Sequence, residues 1–201
     1  MDSELCSTDF VNQYLQDTKK TLELLQLSKG YQEAVVNVSK VIKKALVSKS
    51  KIYVAGNGGS AADAQHFVAE LVSRFMIDRS PLSALALTTD TSCLTAIGND
   101  YGFEHIFSRQ LNALSSRGDV FIGITTSGRS PNIINAFNTC HERGVISVAM
   151  CGESGIQNFS PDYMISIPSE STPVIQEMHV ITYHILCSMI ETQIFKSRES
   201  S

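Results

Sequence analysis

The sequence has few of the features that mark secreted, membrane or nucleic-acid-binding proteins. Its five cysteines are widely spaced, odd in number and free of any C-x-x-C pair, which argues against a disulfide framework or a cysteine zinc site. No apolar stretch approaches the ~20 residues of a membrane span. The acidic start, MDSELCSTDF, lacks the basic residues and apolar run of a signal peptide. We therefore expect reduced thiols, no membrane association and a cytoplasmic location.

Clusters of basic residues are also missing. The formal net charge is -4, and lysines occur in short pairs such as Lys19-Lys20 and Lys43-Lys44, so charge-driven binding to nucleic acid is disfavoured. The composition, 43% hydrophobic and 18% charged, is that of an ordinary globular protein. A chain of 201 residues fits one domain. We predict a single domain over residues 1–201, with an N-terminal helical segment at 1–50 and an α/β core at 51–195.

Apolar periodicity predicts the order of elements. Helical spacing covers residues 8–27 and 31–49, with Gly30 as the break between the two helices. Strands and helices then alternate, which predicts an α/β fold with a parallel sheet covered on both faces. The predicted strands lie at 51–55, 83–87, 120–124, 145–150 and 164–168, and the predicted helices at 61–76, 131–143 and 173–195.

Two loops between a strand and a helix are suited to binding phosphate. One contains the hydroxyl-rich run 125–131, in which Pro131 suits a first helical turn whose N–H groups are unsatisfied. The other, at 56–60, is rich in glycine, which allows the backbone to approach a ligand, and Ser60 could cap the helix after it. Both follow strands of the parallel sheet, so they are expected at one ligand site.

Simpler explanations exist for parts of these loops. Ser130 could be only a helix cap, and the glycines could serve only a tight turn, although a cap does not account for four hydroxyls together. Neither G-x-G-x-x-G nor the Walker A pattern fits, which disfavours a dinucleotide or a nucleoside triphosphate.

Four polar side chains could hold a metal ion. His66 and Glu70 are four residues apart and share one helix face, and Gln176 and His184 are eight apart on the last predicted helix. Together they offer imidazole, carboxylate and amide ligands of the kind that zinc accepts. Spacing alone favours the ordinary alternative, a pair of polar residues on a helix surface. No catalytic role is predicted for His105, His141, Glu177 or His179.

Several motifs in order resemble the sugar-isomerase (SIS) domain family, and the phosphoheptose isomerases most of all. They are GNGGSAADAQHF at 56–67, TTDTS at 88–92, IGNDYGF at 97–103, TTSGRSPN at 125–132 and IQEMH at 175–179. The resemblance implies five parallel strands flanked by helices, and a homotetramer with active sites between subunits.

The resemblance also implies roles for individual residues. Glu70 and His184 resemble the base and acid of the isomerisation, and one zinc ion per subunit would be held by His66, Glu70, Gln176 and His184. The residues that resemble substrate contacts are Asn57, Gly58, Gly59, Ser60, Glu70, Asn99, Asp100, Thr125, Thr126, Ser127, Ser130 and Gln176. Two positions depart from the family pattern: Thr125 stands where serine is usual, and Val174 where arginine is common.

The implied reaction converts sedoheptulose 7-phosphate to D-glycero-D-manno-heptose 7-phosphate through an enediolate, in bacterial heptose synthesis for lipopolysaccharide or related glycans. An alternative is a non-catalytic SIS protein that resembles the DnaA-associating regulator of replication initiation. Such a regulator has no need for the acid/base pair Glu70 and His184, and both residues are present here. A sugar-phosphate-sensing domain is a weaker alternative.

Overall fold

A computed structural model describes residues 7–195. Its helices are α1 (Thr8–Leu27), α2 (Lys29–Val47), α3 (Gly59–Val72), α4 (Thr91–Tyr101), α5 (Ser108–Leu114), α6 (Pro131–Arg143) and α7 (Thr172–Ile194). Its strands are β1 (Ile52–Gly56), β2 (Ala84–Ala86), β3 (Val120–Thr125), β4 (Ile146–Gly152) and β5 (Tyr163–Ile167), and a short 3-10 helix covers Phe103–His105.

The strands form one parallel sheet in the order β2-β1-β3-β4-β5. The chain runs outward from β1 to β2 in one direction, and from β3 through β4 to β5 in the other. This reversal creates a crevice beyond the carboxyl ends of β1 and β3, where sheets of this type bind ligands. The predicted α/β fold, with five parallel strands and two preceding helices, is confirmed.

Helices cover both faces of the sheet, so the strands are buried on both sides. In β1, Ile52 and Val54 pack into the apolar cluster formed with α2, α3 and α7. The alternate residues Tyr53 and Ala55 pack into the cluster formed with α5 and α6 on the other face. This two-sided burial explains the uninterrupted apolar runs of the central strands.

The break between the first two helices is at Ser28, and the prediction of Gly30 is wrong. Ser28 has an extended backbone (φ -81°, ψ 104°), and its hydroxyl accepts the N–H of Tyr31 to cap α2. A side-chain cap satisfies an N–H that the first helical turn leaves free. Gly30 is therefore an ordinary residue of the first turn of α2.

Both ends of α3 differ from the prediction. The residue that precedes the helix is Gly58, with φ of 55°, and Ser60 is buried inside the first turn instead of capping it. The helix ends at Val72, earlier than predicted, because Arg79 donates to the carbonyl oxygens of Glu70 and Leu71 (2.7 and 2.8 Å). Helices α4 and α5 were not predicted.

Helix α1 exposes apolar side chains within the described part of the chain, among them Phe10, Val11 and Leu15, each more than half exposed. Between residues 7 and 195 no helix is long and apolar enough to cross a membrane. The prediction of a single domain over 1–201 stays a prediction, and its first and last six residues, with Cys6, lie outside the described range.

Candidate active site

A cavity of about 310 Å³ opens at the carboxyl ends of β1 and β3. It lies in the crevice where the strand order reverses, between the first turns of α3 and α6. Free N–H groups and the helix dipole favour an anion at such a place. The cavity is lined by Asn57, Gly58, Gly59, Ser60, Ile124, Thr125, Thr126, Ser127, Ser130, Thr172 and Gln176.

Hydrogen bonds fix the two loops of this cavity against each other. The amides of Asn57 and Asn132 form a reciprocal pair, at 2.9 and 2.8 Å. The hydroxyls of Thr125 and Ser130 lie 3.2 Å apart, so Ser130 bonds across the loop and makes no cap hydrogen bond to α6 through its side chain. Thr126 and Ser127 also line the cavity, and the Ser127 hydroxyl accepts the N–H of Arg129 (3.3 Å). The arrangement is preformed, which lowers the entropy lost on binding.

Gln176 enters the cavity from α7 and lies against Gly59. The position of a Cβ atom on Gly59 would be 2.5 Å from Nε2 of Gln176. The absence of a side chain at Gly59 therefore allows the first turn of α3 to pack against the Gln176 amide.

Farther along the same two helices, His66, Glu70 and His184 form a cluster whose ligand atoms all lie within 4.8 Å of one another. Nε2 of His66 is 3.0 Å from a carboxylate oxygen of Glu70. The imidazoles of His66 and His184 pack edge to face, with ring centroids 5.2 Å apart. Gly59 and His66 are separated by about 10 Å of helix, at 1.5 Å per residue.

Burial and a neighbouring charge favour the neutral form of His184. Burial lowers the pKa of His184, nearby His66 lowers it further, and the carboxylate of Glu70 partly opposes both effects. Nε2 of His184 is buried and has no hydrogen-bond partner among the described residues. A neutral imidazole with an unpaired buried nitrogen is suited to receive a metal ion or a substrate proton.

The donor set fits a zinc ion. Two imidazoles and one carboxylate form a known ligand set of catalytic zinc sites, in which three protein ligands leave a position for substrate. The unpaired Nε2 of His184 lies in this set. Gln176 lies two helical turns before His184, about 12 Å along α7, with its amide in the cavity. Its assignment as a fourth ligand stays a prediction.

Comparison with known proteins identifies the family. Residues 13–152 match the SIS domain family. The chain is 47% identical over 191 residues to phosphoheptose isomerase of Aneurinibacillus thermoaerophilus, covering 94% of this chain and 96% of the relative. It is 51% identical over 162 residues to phosphoheptose isomerase 2 of Campylobacter jejuni, covering 80% and 81%. The chain belongs to the phosphoheptose isomerase family.

A solved structure agrees with this assignment. Phosphoheptose isomerase GmhA from Neisseria gonorrhoeae matches with a TM-score of 0.85 and 40% identity, over 92% of this chain and 98% of that one. The resemblance of the sequence motifs to phosphoheptose isomerases is therefore confirmed, and the whole fold is shared.

Two predicted substrate residues of this family member stand apart from the cavity. Asn99 and Asp100 are exposed on α4, where the Asn99 amide donates to the Asp100 carboxylate (2.7 Å). Neither lines the cavity. The fold thus gathers the loop residues and Gln176 at one place and the His66 cluster at a second, and leaves the α4 pair outside both. The roles of all these residues stay predictions.

Val174, which departs from the family pattern, is only 4% exposed in the first turn of α7. An apolar residue is suited to this position, and a buried arginine here would need a partner for its charge. Thr125, the other departure, keeps its hydroxyl bonded to Ser130.

Several residues around the site were not singled out from the sequence. Thr172 lines the cavity, and the hydroxyl of Tyr183 contacts Nδ1 of His66 at 2.8 Å. Burial raises the pKa of Asp63 to about 6, with nearby His66 partly offsetting it. The only sequence signal for Tyr183 was its position next to His184, and the only one for Asp63 was its position one turn before His66. Neither signal is specific.

Proposed function

We propose that this protein is a phosphoheptose isomerase that converts sedoheptulose 7-phosphate to D-glycero-D-manno-heptose 7-phosphate. The observation that carries the proposal is the cluster of His66, Glu70 and His184 in a chain of this family. A non-catalytic binding protein has no need for a carboxylate and two imidazoles converging on one point. The cluster and the anion-binding cavity lie at different points along the contact between α3 and α7. A heptose phosphate likewise has its carbonyl group at one end and its phosphate at the other.

The cavity is proposed to hold the phosphate. N–H groups in the first turns of α3 and α6 would bind its oxygens, and the hydroxyls of Thr126, Ser127 and Ser130 would donate to them. Thr125 supports Ser130 through their mutual hydrogen bond. Gln176 would contact the sugar between the two ends. Asn57, through its bond to Asn132, would keep the loops in place.

The reaction moves one proton between neighbouring carbons and one between their oxygens. Glu70 would take the proton from C1 of the ketose to give an enediolate and return a proton to C2. His184, whose pKa is lowered by burial and by nearby His66, would accept the O1 proton and pass a proton to O2. The products are the aldose carbonyl at C1 and a hydroxyl at C2, with no net gain or loss of protons. A zinc ion, when bound, supplies Lewis-acid polarisation of the substrate oxygens.

We further propose a cytoplasmic homotetramer with one zinc ion per subunit and active sites between subunits. The exposed apolar side chains of α1 support contact with another copy. Multi-angle light scattering measures the assembly directly. A monomer at micromolar concentration would contradict this part of the proposal.

The function is tested with Glu70→Gln, assayed with added zinc for aldose formation and for exchange of the C1 proton with solvent. Both should fall about 100- to 10,000-fold, the usual contribution of a general base. Glu142→Gln, a change of an exposed residue on α6, is the matched control and should keep parental turnover. Metal occupancy is measured in the same samples. Parental exchange by metal-loaded Glu70→Gln would remove Glu70 as the base, and an inactive unmodified protein would favour the binding-protein alternative.

The metal site is tested separately by elemental analysis. We expect about one zinc per subunit in the unmodified protein. His66→Ala and His184→Ala should each lose most of it, whereas His141→Ala, which alters an exposed histidine of α6, should not. Full occupancy in both cluster variants would place the metal elsewhere.

A further inference from the structure

The Tyr183 hydroxyl contacts His66 on the side of the imidazole that faces away from Glu70. It is 2.8 Å from Nδ1 of His66, the ring nitrogen on the opposite side from Glu70. Tyr183 is completely buried. Its ring stacks on Phe67 (centroids 5.4 Å apart, planes at 14°) and packs edge-on against His184 (5.0 Å, 88°). Packing on two sides therefore fixes where its hydroxyl lies.

The hydroxyl is not required for this packing. Phenylalanine would present the same ring to Phe67 and His184. A phenol oxygen is costly to bury unless it is hydrogen-bonded, and the bond to His66 satisfies it. The oxygen atom is thus best explained by its contact with His66.

The two nitrogens of His66 have different surroundings. Nε2 points to the carboxylate of Glu70, in the cluster with His184, and Nδ1 points to Tyr183. A neutral imidazole has one donor and one acceptor nitrogen, and the bond made by one determines which proton the other carries. Without a metal, Nε2 donates to the Glu70 carboxylate, which can only accept. To bind a metal ion, Nε2 must give up that proton, and Nδ1 must then carry the ring proton and donate it to the phenol oxygen.

Asp63 places a negative charge near the Tyr183 phenol, whose pKa is raised by burial and further by this charge. Asp63 lies on α3 three residues before His66, and its Oδ2 is buried with no hydrogen-bond partner in the described range 7–195. The charge of Asp63 disfavours ionisation of the Tyr183 phenol, so its oxygen stays a neutral hydroxyl that can accept the Nδ1–H of His66.

We propose that Tyr183 is a positioning residue for the metal centre: its hydroxyl accepts the Nδ1–H of His66 and so fixes the tautomer and ring orientation in which Nε2 binds the ion. This inference rests on the metal site proposed above. Partners of this kind typically change metal affinity by about 10- to 100-fold.

Tyr183→Phe, which removes one oxygen atom, tests the inference. The dissociation constants of the unmodified protein and the variant for zinc and for cobalt are measured by competition with a chromophoric chelator. We expect about 10- to 100-fold weaker binding in Tyr183→Phe. Tyr53→Phe is the matched control, since its buried hydroxyl donates to the Leu114 carbonyl (2.8 Å) on the other face of the sheet. It should leave metal affinity unchanged.

Nitrogen-15 spectra of the zinc-loaded unmodified protein give a second measurement that does not depend on a folded variant. They should show His66 protonated at Nδ1 and bound to zinc through Nε2. Metal bound through Nδ1, or parental metal affinity in Tyr183→Phe, would overturn the inference and leave the isomerase assignment intact. A zinc-loaded unmodified protein that lacks isomerase activity, with the metal effects of Tyr183→Phe as expected, would instead overturn the function alone. A parent that binds neither ion would remove the metal centre and this inference with it.

Discussion

The amide of Gln176 occupies the space that a side chain on Gly59 would need. A Cβ built on Gly59 falls 2.5 Å from Nε2 and 3.0 Å from Oε1 of Gln176. Real Cβ atoms do not approach other atoms this closely, so a larger residue at 59 must displace the amide. Because the amide is the end of a flexible side chain, the displacement affects the cavity far more than the fold.

Gly59→Ala should therefore lower kcat/KM by about 100-fold, the scale expected when a substrate-contacting group moves by about 1 Å. The melting temperature should change little. Steady-state kinetics and thermal unfolding measure the two effects. Gly30→Ala is the control, since a Cβ there has 4.0 Å to its nearest neighbour, the Ser28 hydroxyl, and both quantities should stay parental. Equal kinetics for Gly59→Ala would mean that Gln176 takes no part in substrate binding.

The hydroxyl loop should affect substrate binding more than turnover. Ser127→Ala and Ser130→Ala are each expected to raise KM by about 10- to 100-fold, the value of a hydrogen bond to a charged group, with a smaller change in kcat. Ser48→Ala, an exposed change after α2, should alter neither constant. An unchanged KM for both loop variants would show that the phosphate binds elsewhere.

The sequence was sufficient for features that depend on local pattern. Apolar periodicity placed α1 and α6, and the motifs around His66 and Ser130 predicted the loops that line the cavity. The same periodicity missed α4 and α5. Helix α4 buries only Ile97 along its length, and α5 is only seven residues long, so neither carries a strong amphipathic signal.

Contacts between distant parts of the chain could not be predicted from pattern. The bond from Tyr183 to His66 spans 117 residues, and its existence depends on the packing of α7 against α3. The early end of α3 has the same origin, since it depends on Arg79 and on Glu191, more than a hundred residues away. Such contacts follow from tertiary packing, which local propensity does not encode.

The buried ion pair of Arg79 and Glu191 should be important for stability. The two side chains are 1% and 4% exposed and 2.8 Å apart, and Glu191 also accepts the N–H groups of Phe75 and Met76. Glu191→Gln leaves the guanidinium charge unpaired, which typically costs about 3 to 5 kcal/mol. Urea unfolding of the metal-free protein measures the loss.

Glu23→Gln is the matched control for that substitution. It breaks the exposed pair with Lys19, 3.7 Å apart on α1, which is worth at most about 0.5 kcal/mol. Similar losses for the two variants would contradict the importance of the buried pair. Because Phe75 packs on the His184 ring (centroids 5.4 Å apart), Glu191→Gln should also weaken metal binding.

His179 should make the protein less stable in acid. It is completely buried on α7, and burial lowers its pKa to about 4, with a partly opposing contribution from the Cys151 backbone. Between that value and the unfolded pKa of about 6.5, the unfolded chain binds the proton and the folded chain does not, so stability falls as pH falls. By this linkage the free energy of unfolding should drop by about 2 kcal/mol from pH 7 to pH 5 and about 3 kcal/mol by pH 4.

His179→Gln removes this titration. The free energy of unfolding of chelator-treated protein is measured with urea at pH 7, 5 and 4. From pH 7 it should fall less in His179→Gln than in the unmodified protein, by about 2 kcal/mol less at pH 5 and about 3 kcal/mol less at pH 4. This difference does not depend on how stable the variant is at pH 7. His141→Gln, at the exposed end of α6, should follow the unmodified protein at every pH. If the free energy of unfolding falls equally with pH in the unmodified protein and in His179→Gln, His179 is protonated in the folded state. Its buried ring would then donate the second N–H to a hydrogen-bond acceptor.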